Sequence, residues 1–482
     1  MRIAFLNPPF EFRISKESRW PEYTKSGTLY YPFWLAYATG VVLEKTEHEA
    51  TLIDAIAEGY DFNETIRKLE EFNPNLVVIE TSTPTVRNDA KFTQALKDKL
   101  EVKVCFVGPH VSAVPEDTLK RYSVVDFIAR REFDYTIPEL ADALEGKKRL
   151  KNVLGLSFRK NKRIVHTKQR SLIQNLDELP FVSKVYKKFL DIRKYRYALA
   201  RHPMVQVWSS RGCPNLCTFC QLPQTFSGRL FRVRTPENFV DELEWIDENL
   251  PVKEIFIEDD TFTISKPRVV EICKLIRKRG LDVVWSCNAR ADIPYNVLKE
   301  MKKAGCRMLI VGYESGNDKI LRNVKKGISV RQAMKFTINA KKLGLKIFGC
   351  FMLGLPGETK ETIRQTFEYA KKLNPDMAFF QQAVPFPGTE FYQWCKTNNY
   401  LTAEDWDEWL DENGRLACIV SYPNLSKGEI CKMRDELMTN FYLSPKWLAQ
   451  AFLHNFHPDE MVRLMNAAIE YMHFRLSIGR GK

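Results

Sequence analysis

The chain predicts an α/β protein: a doubly wound Rossmann-like domain first, a partial (β/α)6 barrel of the TIM type next, and a C-terminal α-helical region. Two observations predict this. Short apolar runs alternate with helical patterns from the N-terminus to about residue 395, the arrangement that gives parallel sheets covered by helices. Between residues 151 and 200 the alternation stops, which separates the two halves. The expected boundaries are therefore 1–150, a hairpin and linker over 151–200, a barrel over 201–395, and a helical region over 396–482.

In the first part, strands are expected at Arg2–Asn7, Ala50–Asp54, Leu76–Thr81, Val102–Val107 and Val124–Ala129. Helices are expected at Pro32–Glu44, Glu64–Phe72, Arg87–Leu100, Glu116–Arg121 and Ile137–Leu144. Leu154–Arg159 and Arg163–Lys168 read as a hairpin. Six further strands follow at Met204–Trp208, Glu254–Glu258, Asp282–Ser286, Met308–Val311, Lys346–Met352 and Met377–Gln381; βα units in such a series favour an open barrel. Helices are expected at Lys427–Phe441, Pro445–Phe456 and Pro458–Phe474, with Ser426 as an N-cap.

A length of 482 residues, 44% of them hydrophobic, suits two to four domains with sizeable cores. No apolar run approaches the ~20 residues that span a bilayer. The chain opens on a strand, and its cysteines outside one motif are scattered singly, so a reducing, cytoplasmic setting is expected. The net charge of +13 suits an anionic substrate, a nucleic acid or an anionic membrane surface, and equally the solvated face of an ordinary basic protein.

The chemistry concentrates in Ser210-Arg-Gly-Cys-Pro-Asn-Leu-Cys-Thr-Phe-Cys-Gln221. Cys213, Cys217 and Cys220, at spacing Cys-x3-Cys-x2-Cys, offer three thiolates from one loop, with Phe219 inside the motif. Three sulfurs on a [4Fe–4S] cube leave one iron open for another ligand. A structural zinc would want four closed ligands, and neither a second Cys-x2-Cys nor a Cys/His pair lies nearby. The ends of the following strands also carry unusual residues. They are Glu258-Asp259-Asp260, then Arg290, then Gly312-Tyr-Glu314-Ser315-Gly316, then Gly354-Leu-Pro-Gly357.

In this order, over roughly residues 200–395, these elements resemble the radical S-adenosylmethionine (SAM) enzymes. The resemblance implies that Cys213, Cys217 and Cys220 ligate a [4Fe–4S] cluster whose open iron is chelated by SAM. It further implies that Phe219, Asp259, Asp260, Arg290, Glu314, Ser315 and Gly354 surround SAM. A flavodoxin or ferredoxin would supply one electron, releasing a 5′-deoxyadenosyl radical that removes hydrogen from an unactivated carbon. The domain ahead of the barrel resembles the cobalamin-binding subgroup. Asn7 and Pro8 after the first strand, Thr81, Ser82 and Thr83 after the third, and Gly108, Pro109 and His110 after the fourth would meet the cofactor. An Asp-x-His-x-x-Gly element is absent, so cobalamin would bind without a histidine on cobalt.

The reading is thus a cobalamin-linked enzyme that methylates or rearranges a carbon of a small-molecule or lipid substrate. A radical SAM RNA-modifying enzyme is the alternative. Against it, the first domain holds only Cys105 for another cluster, which makes a nucleic-acid partner the lesser expectation. A non-catalytic iron–sulfur or cobalamin carrier would not need the acidic and glycine-rich strand ends. Ser18–Trp34, rich in aromatics, Gly and Pro, is expected to cap the cofactor or wall the substrate. Met461, Leu464, Met465, Ala468, Ile469 and Met472 form an apolar stripe that suits a core face, a lid or peripheral membrane contact.

Overall fold

The computed structural model describes residues 1–23 and 27–454. The expected helix at Pro458–Phe474 and its apolar stripe lie outside the described residues.

The first sheet contains β1 (Arg2–Asn7), β2 (Glu49–Asp54), β3 (Leu76–Glu80), β4 (Lys103–Val107), β5 (Phe127–Ala129), β6 (Leu156–Lys160) and β7 (Arg163–His166). Their order is β2-β1-β3-β4-β5-β6-β7. The first five pair in parallel, and burial on both faces explains their nearly unbroken apolar runs. The order reverses between β1 and β3, the crevice where such sheets receive ligands. The hairpin β6–β7 departs from its expected place in a linker. It turns through Asn161 and Lys162, both at positive φ, and extends this sheet antiparallel from β5, so the sheet runs past residue 150.

The second sheet is built from β8 (Met204–Val207), β11 (Glu254–Ile257), β12 (Trp285–Ala289), β13 (Cys306–Glu314), β14 (Lys346–Leu353) and β15 (Met377–Gln382). They lie parallel in chain order, with β8 and β15 at the open edges, as a partial barrel requires. A separate two-stranded pair, β9 (Ser210–Arg211) and β10 (Arg232–Val233), flanks the cysteine loop. The strand β12 begins three residues later than expected. Its register against β13 shifts at Trp285–Ser286, and the apolar Val283 packs ahead of that irregularity instead of joining the ladder.

The helices Lys427–Tyr442 and Pro445–His454 form as expected, the first with a Ser426–Glu429 capping box. Residues 401–425 do not make a separate helical unit. Trp406, Trp409, Leu416 and Ile419 pack into the same core as Ile79, Phe106 and Ile128 of the first sheet. No helix among the described residues is long and apolar enough to cross a membrane.

The two sheets meet along a polar seam. Glu132 takes both terminal nitrogens of Arg232 at 2.8 Å, and Asp134 holds Arg211 at 2.9 and 3.0 Å. All four side chains are buried, so each charge is paired where water is excluded. Arg211 and Arg232 lie on β9 and β10, and the seam therefore fixes both strands beside the cysteine loop to the first domain.

Candidate active site

Cys213 and Cys217 are buried and Cys220 is partly so. Their loop is held from every side. Gly212 has φ +85°, and a side chain there would strike the Leu230 carbonyl at 2.2 Å, so only glycine turns the chain at this point. The Gly212 amide donates to Asp260 at 3.0 Å and the Cys213 amide to the Gly228 carbonyl at 3.2 Å. One side chain, Gln224, reaches back to the Thr218 and Cys220 carbonyls at 3.1 and 2.8 Å. Thr218 also donates from its amide to Val324 and accepts at its carbonyl from Phe391. Asn215 Nδ2 lies 3.2 Å from Cys213 Sγ, a donor of the kind that steadies a sulfur ligand. Burial raises the Cys217 thiol, while Lys326 and Arg290 pull it back down. This donor set, three thiols of one loop with Lys326 and Arg290 acting on Cys217 and Arg19 on Cys220, suits an iron–sulfur cube.

Acids stand on one side of the loop. Burial pushes Glu258 up to about 7 against the pull of Arg19, whose guanidinium sits 2.7 Å from it. The same guanidinium donates to the Asp259 carbonyl at 3.1 Å and lies 3.8 Å from Asp260 Oδ1. That oxygen is buried and has no hydrogen-bond partner among the described residues, which leaves an acceptor for a ligand ammonium. Cations stand on the other side. Lys326 pairs with Glu314 at 2.6 Å, both buried, and Gly312 leaves room for that pair. Arg290 is held by Asp292 at 3.3 Å and by the Gly327 carbonyl at 3.4 Å.

Three of the residues expected around SAM are engaged within the protein. The Asp259 carboxylate faces away into the protein, accepting from the amides of Ser209 and Ser210 and from both their hydroxyls at 2.5–3.1 Å. The Ser315 hydroxyl is buried against Thr366 at 3.1 Å. Gly354, at φ +85°, is covered by Ile430 of the C-terminal helix; its amide goes to Glu358 and its carbonyl to the Tyr422 hydroxyl, each at 2.6 Å. All three shape the strand ends from behind. Phe219 is half-buried beside the cysteines and packs on the core.

Both halves of the chain resemble known proteins. Residues 23–141 match the B12 binding domain and residues 209–370 the radical SAM superfamily. An uncharacterized methyltransferase of Pyrococcus horikoshii is 34% identical over 93% of this chain and 94% of its own length. The chain belongs to the cobalamin-binding radical SAM enzymes. The cofactors of that family are a [4Fe–4S] cluster, SAM and cobalamin. The anaerobic magnesium-protoporphyrin IX monomethyl ester cyclase of Rubrivivax gelatinosus is 25% identical over 82% of this chain and 70% of its own length. The radical SAM methyltransferase TsrM of Kitasatospora setae, solved with cobalamin and a [4Fe–4S] cluster, shares the fold. It has a TM-score of 0.71 at 15% identity over 92% of this chain and 89% of that one.

At and beside the carboxyl ends of β1, β3 and β4 the cobalamin-binding radical SAM enzyme buries several polar groups that the protein itself does not satisfy. Asn7 Oδ1, both oxygens of Glu17 and Glu80, and His110 Nε2 are buried there without a hydrogen-bond partner among the described residues. Burial raises Glu80 to about 8, so its carboxyl group donates as well as accepts at neutral pH, as amide side chains of a corrinoid need. Pro8 is buried beside Asn7, whose amide donates to Asp54 at 2.9 Å. Gly108, at φ +111°, lies against the Thr81 carbonyl and opens the helix Pro109–Ala113. His110 is neutral, lowered to about 3 by burial; it meets Thr83 Oγ1 at 3.1 Å and the Trp406 ring at 5.2 Å. Ser82 turns away from the crevice to Thr85 at 3.1 Å, and Thr85 in turn holds Asp89.

Sequence reasoning missed Arg19, Gln224 and Lys326. Arg19 lies inside a stretch noted for its aromatics, Gly and Pro as a cap or wall, not for its charge. Gln224 follows the last cysteine at a spacing with no motif of its own. The partner of Lys326 is twelve residues earlier, so nothing local marks it.

Proposed function

We propose that Cys213, Cys217 and Cys220 hold the cluster and that the enzyme methylates or cyclises an unactivated carbon of a small-molecule or lipid substrate. The observation that carries this reading is the opposition of charges around the three thiols. Asp260 and Glu258 can accept the ammonium of SAM, and Arg290 and Lys326 can take its carboxylate. When bound, the reduced cluster with SAM supplies a 5′-deoxyadenosyl radical, and cobalamin supplies a transferable methyl group. The protein's own residues do the positioning. Asp259, Gln224 and Glu358 fix the loops, Phe219 walls the cluster, and the polar groups of Asn7, Glu17 and Glu80 hold the corrinoid edge. Arg19 reaches from the first domain to the acids of the second, so the two cofactor sites face each other across it. The electron comes from a flavodoxin or ferredoxin.

The cyclase and methyltransferase relatives support a carbon centre on a small molecule as the target. The test is anaerobic reconstitution with iron and sulfide, then SAM and dithionite. 5′-Deoxyadenosine should form, and a Cys217→Ala variant should make none. Absence of product from the wild type, or equal product from the variant, overturns the cluster assignment. Hydroxocobalamin retained through gel filtration supports the first-domain site, and its loss removes that site.

A further inference from the structure

The outer face of the barrel carries a groove of about 990 Å³ between the helices Val330–Lys342 and Lys360–Leu373. Val330, Met334 and Phe367 line it half-buried, and Ile338 stands 48% exposed among them. An apolar floor open to water in this way marks a docking surface. The acids Glu361 and Glu368 on its walls are already engaged, by Arg364 and Lys371. The cations Arg331, Lys335 and Lys372 are exposed there with no acidic partner among the described residues, so the free charge of the walls is positive. The described chain ends at the foot of this groove. Its last helix, Pro445–His454, bonds the lower ends of both walls. Gln450 Oε1 accepts from Lys341 Nζ at 2.8 Å and from the Asn374 side-chain amide, and the Trp447 indole donates to the Asp376 carbonyl at 3.0 Å. Lys341 lies in the last turn of the first wall, and Asn374 caps the second. The sequence that follows supplies Met461, Leu464, Met465, Ala468, Ile469 and Met472 at helical spacing.

We propose that this groove is the docking site of the chain's own residues 458–474, whose apolar stripe lies on Met334, Ile338 and Phe367. Laying an amphipathic stripe into a groove between two helices is a recurrent mode of recognition. Length agrees with it: at about 1.5 Å per residue, a helix over 461–472 and the wall over 361–372 each run about 17 Å. Charge agrees as well. Asp459 and Glu460 follow closely on His454, so they arrive at the foot of the groove, where Lys372 stands. Pro458 ahead of them suits the first turn of a helix.

The test compares the full-length chain with Ile338→Glu in the groove and Met465→Glu in the segment. A carbodiimide couples carboxylates to neighbouring lysines, and mass spectrometry locates the links. Wild type should join Asp459 or Glu460 to Lys335 or Lys372 within one chain. Hydrogen exchange of the amides over 461–472 should be about tenfold faster in each variant than in wild type. The links should fall in yield by a similar factor. Met465→Glu leaves the groove itself intact, so its loss of protection cannot come from misfolding of the barrel helices. Links found only between isotopically distinct chains would put a second copy in the groove and overturn the proposal. Protection that arises only with phosphatidylglycerol vesicles would overturn it in favour of a membrane surface. Equal exchange in wild type and both variants overturns it outright.

Discussion

At the scale of single residues, the cysteine loop depends on side chains that are absent or small as much as on the sulfurs. Gly212 is the clearest case, because both its φ and the Leu230 carbonyl exclude a side chain. Gly212→Ala is expected to lower bound iron and acid-labile sulfide per chain while far-ultraviolet circular dichroism stays unchanged. Lys326 behaves differently, since it is one half of a buried pair. Lys326→Met strands the Glu314 carboxylate and should cost about 3–5 kcal/mol, read from the urea midpoint. Adding Glu314→Gln should restore much of that loss. The sulfurs were legible in the sequence because their spacing is local. The pairing of Lys326 was not, since it arises only when the end of β13 meets a loop that follows it. Asp259 is a different case: its place in an acidic strand end suggested a SAM contact, and the structure engages its carboxylate with four donors from Ser209 and Ser210.

At the scale of elements, the parallel strands were legible because burial on both faces demands unbroken apolar runs, as in Leu76–Glu80. What the hairpin β6–β7 joins was not legible, since its residues satisfy an edge strand and a free hairpin equally well. The carboxyl ends of the first sheet carry a pH signature. Burial raises Glu80 to about 8 from 4.5 and Asp54 to about 6 from 3.8. Both groups are protonated in the fold where the unfolded chain would be charged. Their contribution to stability is therefore complete below the unfolded values and disappears as pH rises through the folded ones. The thermal midpoint of the cofactor-free protein should fall between about pH 5 and pH 8 from these groups. Glu80→Gln should flatten the upper part of that fall; an unchanged slope would show that Glu80 is not protonated in the fold.

At the scale of the whole molecule, residues 401–425 act as a strap packed on the first sheet. Trp406 lies over His110 and donates to Asp117 at 3.1 Å, while Arg87 and Arg121 hold Asp407 and Asp405. Trp406→Ala should cost about 3–5 kcal/mol and loosen corrinoid retention, measured by urea titration and by cobalamin remaining after gel filtration. This strap was missed because its tryptophans follow no period of either helix or strand. The bonds that close the thiol loop have a similar origin far down the chain: the Phe391 amide reaches the Thr218 carbonyl, and the Glu390 amide reaches Gln224. During synthesis the three cysteines therefore leave the ribosome long before the residues that set their spacing have been translated. Iron and sulfur delivery then belongs after Phe391 has emerged, and a chain stopped after Gln382 should take up less of both than the full-length one.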